Sequence, residues 1–225
     1  MESGADNNVA ALNYPQNAII ATDINTFMYK EFLALSNIFS NLGDKKKGLF
    51  YKQQAKELAE RINATLWDDD DVYYNIDATT GKFIKRMSYN TVHPLWAGIT
   101  PKEKAKRYIE NYVLNPKKLY SKYGIRTLAK NDPQYSNTNM IRPHSNWQGP
   151  VWPIANYFFV QALIRYGYQK EAITVATRVA KNCLNDIKKT GGMHENYNAE
   201  TGEPIAAPNF ISWNLLVPVM LTEAH

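Results

Sequence analysis

The chain has 225 residues, a formal net charge of +5 and one cysteine. That length favours one domain, and 44% apolar residues are enough for a real core. The lone Cys183 excludes an internal disulfide, and no apolar run approaches the roughly 20 residues of a membrane span. The only tight basic run is Lys45-Lys46-Lys47, and the remaining cations are scattered, so neither a nucleic acid nor a membrane is an expected partner. Aromatic residues make up 12%, with 15 Tyr and 5 Trp, which suits pockets for polar ligands as well as cores.

In chain order, the first periodic segment is 23–42. Ile24, Phe27, Met28, Leu35, Ile38, Phe39 and Leu42 recur in steps of three, four and seven, the pattern of an amphipathic helix. Asp23 reads as its N-cap and Gly43 as its stop. A second helix is predicted over about 46–66, and the short link makes the two an antiparallel hairpin. Residues 67–86 break the period and read as a short β-hairpin or extended loop. The run Asp68 to Asp71 lacks the alternating ligands, central Gly and closing Glu of a calcium loop, so it reads as a solvated turn.

Thr100-Pro101-Lys102-Glu103 combines a capping box with Pro at the first helical position, predicting a helix to about Leu114. Residues 115–150 are irregular, rich in Pro, Asn, Tyr and Gly, and long enough to suggest function. Helices follow at about 152–165 and 169–188, the second carrying Cys183 in its apolar stripe as a core filler. A further irregular segment precedes a last helix at about 212–223. The pattern is an all-α protein of helix pairs with function in its loops.

Three loops carry the chemistry: MESGADNN (1–8), SNWQGPVWP (145–153) and GGMHENYNAETGEP (191–204). Two separated carboxylates with aromatic platforms between them are what glycoside hydrolysis needs, since one acid protonates the leaving oxygen and the other attacks or activates water. Amide side chains would satisfy sugar hydroxyls. No zinc-spaced Cys/His cluster, phosphate-cradling Gly loop or Ser nucleophile elbow is present, so no cofactor or metal is expected.

ESGADN, PLWAG (94–98), YGIRTLAKNDPQY (123–135), WQGPVWPIANY (147–157), HENYNAETG (194–202) and APNFISW (207–213) occur in that order. Together they resemble the catalytic (α/α)6 domain of glycoside hydrolase family 63 and the related trehalases. The resemblance covers nearly the whole chain. It implies a partial (α/α)6 barrel, residues 1–225 forming a single domain that is its C-terminal part. It implies an inverting hydrolase of α-linked glucosides or related oligosaccharides, with Asp6 as general acid and Glu195 as the base that activates water. Inversion requires the two carboxyls about 6.5–9.5 Å apart. Burial, or a like charge such as Glu2 or Glu195, would raise the pKa of Asp6. Trp147, Gln148 and Trp152 match a loop lining the sugar pocket, and Tyr197 is expected close to the site. His194 is expected to support its neighbour through hydrogen bonds, His93 to order a turn, and Trp67 and Trp96 to pack, with His144, beside the Trp loop, a less favoured candidate for the pocket.

Two departures stand out. The motif reads DNN where the family more often has DNSP, so the loop after the acid is expected to differ. The match also begins partway through the barrel, so early helices are expected to be missing, leaving apolar surface on the order of several hundred Å² to be covered by a missing N-terminal half or by a homo-oligomer. Asp6 near the chain start would fray unless docked. The alternative to an enzyme is a non-catalytic sugar-binding or structural remnant.

Overall fold

The computed structural model describes residues 4–15, 18–140 and 145–225. Among them are seven α-helices: α1 (Thr22–Asn41), α2 (Lys45–Thr65), α3 (His93–Ala97), α4 (Lys102–Tyr108), α5 (Pro153–Arg165), α6 (Gln169–Thr190) and α7 (Leu216–Ala224). The helix starts follow local chemistry. Asp44 caps α2 by accepting the Lys47 N–H at 3.0 Å, and Gly43 closes α1 at φ +85. Gly48 lets the hairpin close, because a Cβ there would collide with Ser40 of α1. Pro153 stands in the first turn of α5, where a missing N–H costs nothing.

The inner layer is α1, α3, α5 and α7, each packed on the next, with α2 behind α1 and α6 behind α5 and α7. This is the helix-pair architecture of an (α/α)6 barrel. An aromatic cluster joins three inner helices: the rings of Phe27, His93, Trp96 and Phe158 lie 4.6–6.2 Å apart, one residue or two from each helix. The buried core continues through Tyr108, Ile109, Phe159, Leu163 and Val175.

Three of the sequence readings need revision. Asp23 is not the N-cap; Ala21 precedes α1, and the Asp23 carboxylate accepts the neighbouring Ile24 N–H at 2.9 Å. Thr100 makes no capping bond, because Pro101 rather than Thr100 occupies the cap position, and α4 passes into a π-helical segment at Ile109–Val113. His93 starts a helix instead of a turn and is fully buried. The Asp68–Asp71 run is the turn expected, with Asp69 and Asp70 exposed, and it carries ion pairs from Lys85 to Asp68 and Asp70 at 2.9 and 2.8 Å and from Arg107 to Asp71 at 2.9 Å.

The irregular segments hold short antiparallel pairs. They are β1 (Ile19–Ile20), β4 (Asn75–Asp77) and β5 (Lys82–Ile84) in the order β1-β4-β5; β2 (Trp67–Asp68) with β3 (Val72–Tyr73); β6 (Tyr120–Ser121) with β7 (Gly124–Ile125); and β8 (His194–Tyr197) with β9 (Pro204–Pro208). The last hairpin is absent from the sequence reading because HENY shows no alternation of apolar and polar residues. Every segment expected to carry chemistry precedes the N-terminus of an inner helix. Hydrogen bonds join these loops to one another, from Asn7 to Trp147 and between Val151 and Tyr197, so the three gather at one place on the layer.

Candidate active site

Asp6 is not on a loose tail. Ala5, Asn7, Asn8, Val9 and Ala10 are all buried, and Asp6 alone of this run is half-buried. Asn8 N–H closes a turn onto Ala5 C=O at 3.0 Å, putting Asp6 and Asn7 at its two central positions. Asn8 then donates to Asn90 Oδ1 at 3.4 Å, and Asn90 donates to Asn75 Oδ1 at 2.9 Å. Asn75 in turn accepts from the Thr22 N–H and hydroxyl and donates to Ala10 C=O at 3.1 Å. The second Asn of DNN is thus one member of a buried amide network that joins the Asp6 turn to the start of α1 and to β4.

Glu195 stands on β8, half-buried. Its strand is held from behind by Asp186 of α6, which is 2% exposed. Asp186 accepts the His194 N–H at 2.7 Å, the His194 Nδ1–H at 2.9 Å and the Tyr197 hydroxyl at 3.1 Å. In a regular strand, residues 194 and 197 face opposite sides. A register shift between Asn196 and Tyr197 lets both reach Asp186 and leaves Glu195 free of that cluster. Val151 and Tyr197 exchange backbone hydrogen bonds at 2.8 and 2.9 Å, locking β8 to the Trp loop. Asn214 donates to His194 C=O at 2.9 Å. At the hairpin's far end, burial favours a neutral Glu200. Hydrogen bonds from Lys130, Tyr135 and Arg126 outweigh it and hold that carboxyl at about 2.

The two predicted acids feel each other. Burial first, and then the Asp6 charge, push the Glu195 carboxyl up to about 7.

Trp147 and Trp152 stack with ring centroids 3.9 Å apart, and Tyr89 lies 4.8 Å from Trp147. Gly149, at φ +157, lets the loop pass the Tyr135 ring, since a Cβ would stand 2.8 Å from it. Trp147 and Gln148 are 5% and 4% exposed, and Gln148 Nε2 donates to Asn7 C=O at 3.0 Å. Trp152 and Tyr197 leave no surface for a ligand: Trp152 is 1% exposed with its indole N–H on Asn146 C=O, and Tyr197 is 0% exposed with its hydroxyl on Asp186. Both support the site from behind, which corrects the expectation that Trp152 lines the pocket. His144 and Glu2 lie outside the described residues. Sequence reasoning missed Asp186, Asn7 and Asn75, polar residues with no local signature.

Among the described residues, buried polar atoms without partners concentrate here. They include Trp147 Nε1, Trp213 Nε1, both side-chain atoms of Asn196, Asn214 Oδ1 and Ser145 Oγ. Such groups cost about 1–3 kcal/mol each when left unpaired, and their clustering marks unused hydrogen-bonding capacity.

The fold is an open layer of helix pairs of the (α/α)6 type, with two carboxylates and an aromatic loop on the segments that precede its inner helices. Residues 2–213 match the family model described as the mannosylglycerate hydrolase MGH1-like glycoside hydrolase domain, and the chain belongs to that family. A probable mannosyl-oligosaccharide glucosidase of Schizosaccharomyces pombe is 24% identical, aligned over 94% of this chain and 27% of its own length. A mannosylglycerate hydrolase of Rubrobacter radiotolerans is 24% identical over 83% of this chain and 40% of its own. The solved family 63 mannosylglycerate hydrolase of Thermus thermophilus superposes with a TM-score of 0.71 at 19% identity, covering 91% of this chain and 45% of that one, and shows the shared fold. The chain thus spans about a quarter to two fifths of the length of these two curated relatives.

Proposed function

We propose that these residues form the catalytic end of an inverting glycoside hydrolase acting on an α-linked glucoside or a related glycoside such as mannosylglycerate. Asp6 is the general acid that protonates the leaving oxygen, and Glu195 is the general base that draws a proton from the attacking water. The carrying observation is that the Asp6 charge, from the turn before α1, acts on the half-buried Glu195 carboxyl of β8, which brings the two carboxyls to one site. Trp147 offers an unpartnered indole N–H for sugar recognition, and Gln148, its amide bonded to Asn7 and Asn139, holds the loop that presents it.

Turnover of a chromogenic α-glucoside and of mannosylglycerate tests this reading, with the first-formed anomer read by proton NMR. Inversion with loss of turnover in Asp6→Asn and Glu195→Gln supports it; retention, or full activity in either variant, refutes it.

A second part of the proposal concerns the open edges of the inner layer. Ile24, Met28 and Ile38 on α1 and Leu42 just after it are 43–75% exposed, as are Ile211 and Leu215 (60% and 61%) before α7. These edges receive the helices that complete the ring, because the fold relatives are about twice as long as this chain. Residues 1–225 are then one domain, the later part of the barrel. If this chain alone is instead a stable dimer with its own copy on those edges, sedimentation analysis will show it. Sugar binding without turnover, abolished by Trp147→Ala, would favour the non-catalytic reading, which the open ring makes worth testing.

A further inference from the structure

Asn7 has the same exposure as Asn8, 2%, but points the other way. Its side chain meets the Trp loop directly. Asn7 Oδ1 accepts the Trp147 N–H at 2.6 Å, while Nδ2 donates to Asn139 C=O at 3.0 Å and to Asn146 Oδ1 at 3.4 Å. The Asn7 carbonyl accepts Gln148 Nε2 at 3.0 Å. Asn146 is itself pinned: its Nδ2 donates to Ser136 C=O, its Oδ1 accepts the Gln148 N–H, and its carbonyl accepts the Trp152 indole. One amide side chain, a peptide bond away from Asp6, therefore bridges the acid turn to both limbs of the loop that carries Trp147. That loop is in turn bonded to β8 through Val151 and Tyr197. Through these bonds and the loop between Trp147 and Val151, the residue next to Asp6 is linked to the strand that carries Glu195.

We propose that Asn7 is the positioning residue that fixes the Asp6 carboxyl relative to Glu195 and to the Trp147 ring. The proposal rests on the reading of Asp6 and Glu195 as the acid–base pair. Asn8 anchors the same turn to α1 and β4, so the turn stays buried without Asn7 but loses its register against the Trp loop. A shift of about 1 Å at a catalytic group costs up to about 10²-fold in rate. An Asn is suited to the task because it supplies an acceptor to the Trp147 N–H and donors to two oxygens at once, which no apolar or hydroxyl side chain of similar size does.

The test reads the geometry of the pair without requiring turnover. The Glu195 carboxyl is titrated by carbon-13 NMR in the wild-type chain, Asp6→Asn, Asn7→Ala and Asn63→Ala, with Glu195→Gln to assign the signal. Asn63 is a control because it makes comparable amide bonds, to Ala59 and Ile99 carbonyls, on α2. Asp6→Asn is expected to lower the Glu195 pKa. Asn7→Ala is expected to lower it by at least half as much, while Asn63→Ala loses stability and leaves the titration in place. If Asn7→Ala fails to fold, Gln148→Ala cuts the bond to the Asn7 carbonyl and is expected to move Glu195 in the same direction by less. An unmoved Glu195 in Asn7→Ala (or in Gln148→Ala, should that be the variant used), with Asp6→Asn effective, overturns the positioning role. So does an equal shift in Asn63→Ala. No shift in Asp6→Asn overturns the pair itself, and the positioning role with it.

Discussion

The two candidate catalytic carboxyls are held in contrasting ways. Glu195 sits on a strand whose backbone is bonded on both sides, to β9 and to Val151, and whose rear is clamped by one buried carboxylate, Asp186. Asp6 sits in an irregular turn with no strand or helix of its own, and side-chain amides from five asparagines do the fixing: Asn7, Asn8, Asn75, Asn90 and Asn146. The comparison teaches that a rigid site does not need regular structure on both sides. Backbone ladders hold one half in register, and a satisfied polar network does so for the other, provided each buried amide finds its partners.

The largest expected effect breaks the pair itself. Asp6→Asn and Glu195→Gln should each lower turnover by about 10³-fold or more, measured as kcat on the glycoside that the wild type cleaves. Next is the clamp behind β8. Asp186→Ala strands the His194 N–H and the Tyr197 hydroxyl in a buried place and should cost about 3 kcal/mol in urea unfolding. The amide side of the comparison is expected to be weaker per residue. Asn75→Ala removes the common acceptor of Thr22 and Asn90 and should cost about 2 kcal/mol by the same measurement. If Asn75→Ala proves as damaging as Asp186→Ala, the network is as stiff as the ladder and the contrast is only one of appearance.

The smallest effect has the opposite sign. The folded-state Glu195 carboxyl is raised to about 7 from an ordinary value of 4.5, so ionisation favours the unfolded chain. The resulting penalty is absent below pH 4.5, grows as pH rises through that window, and is complete above about pH 7. Glu195→Gln should therefore stabilise the protein by about 1–2 kcal/mol at pH 8 and not at pH 4, read as a rise in Tm at the higher pH only.

Much of this was legible in one sequence. The apolar stripes of α1, α2, α5 and α6 predict those helices within a residue or two, because a helix that buries one face must repeat near 3.6 residues. The ordered motifs resembled the right family and pointed at Asp6, Glu195 and the Trp loop. Local rules failed where a residue had a distant partner. Thr100 and Asp23 look like caps, yet neither caps its helix. HENY has no strand pattern, yet pairing with β9 makes it one. Tyr197 and Trp152 read as pocket residues, and burial turned them into supports.

The amino-acid order by itself settled the helical class and the family, since periodicity and motif spacing are local properties of the chain. Tertiary structure decided how those side chains are held. The bonds from Asn7 to Trp147 and from Asn8 to Asn90 join residues 140 and 82 positions apart, and the Asp6 charge acts on Glu195 from the far end of the chain. No short-range pattern encodes such partners, because a buried amide or carboxylate is specified by what it meets and not by what precedes it.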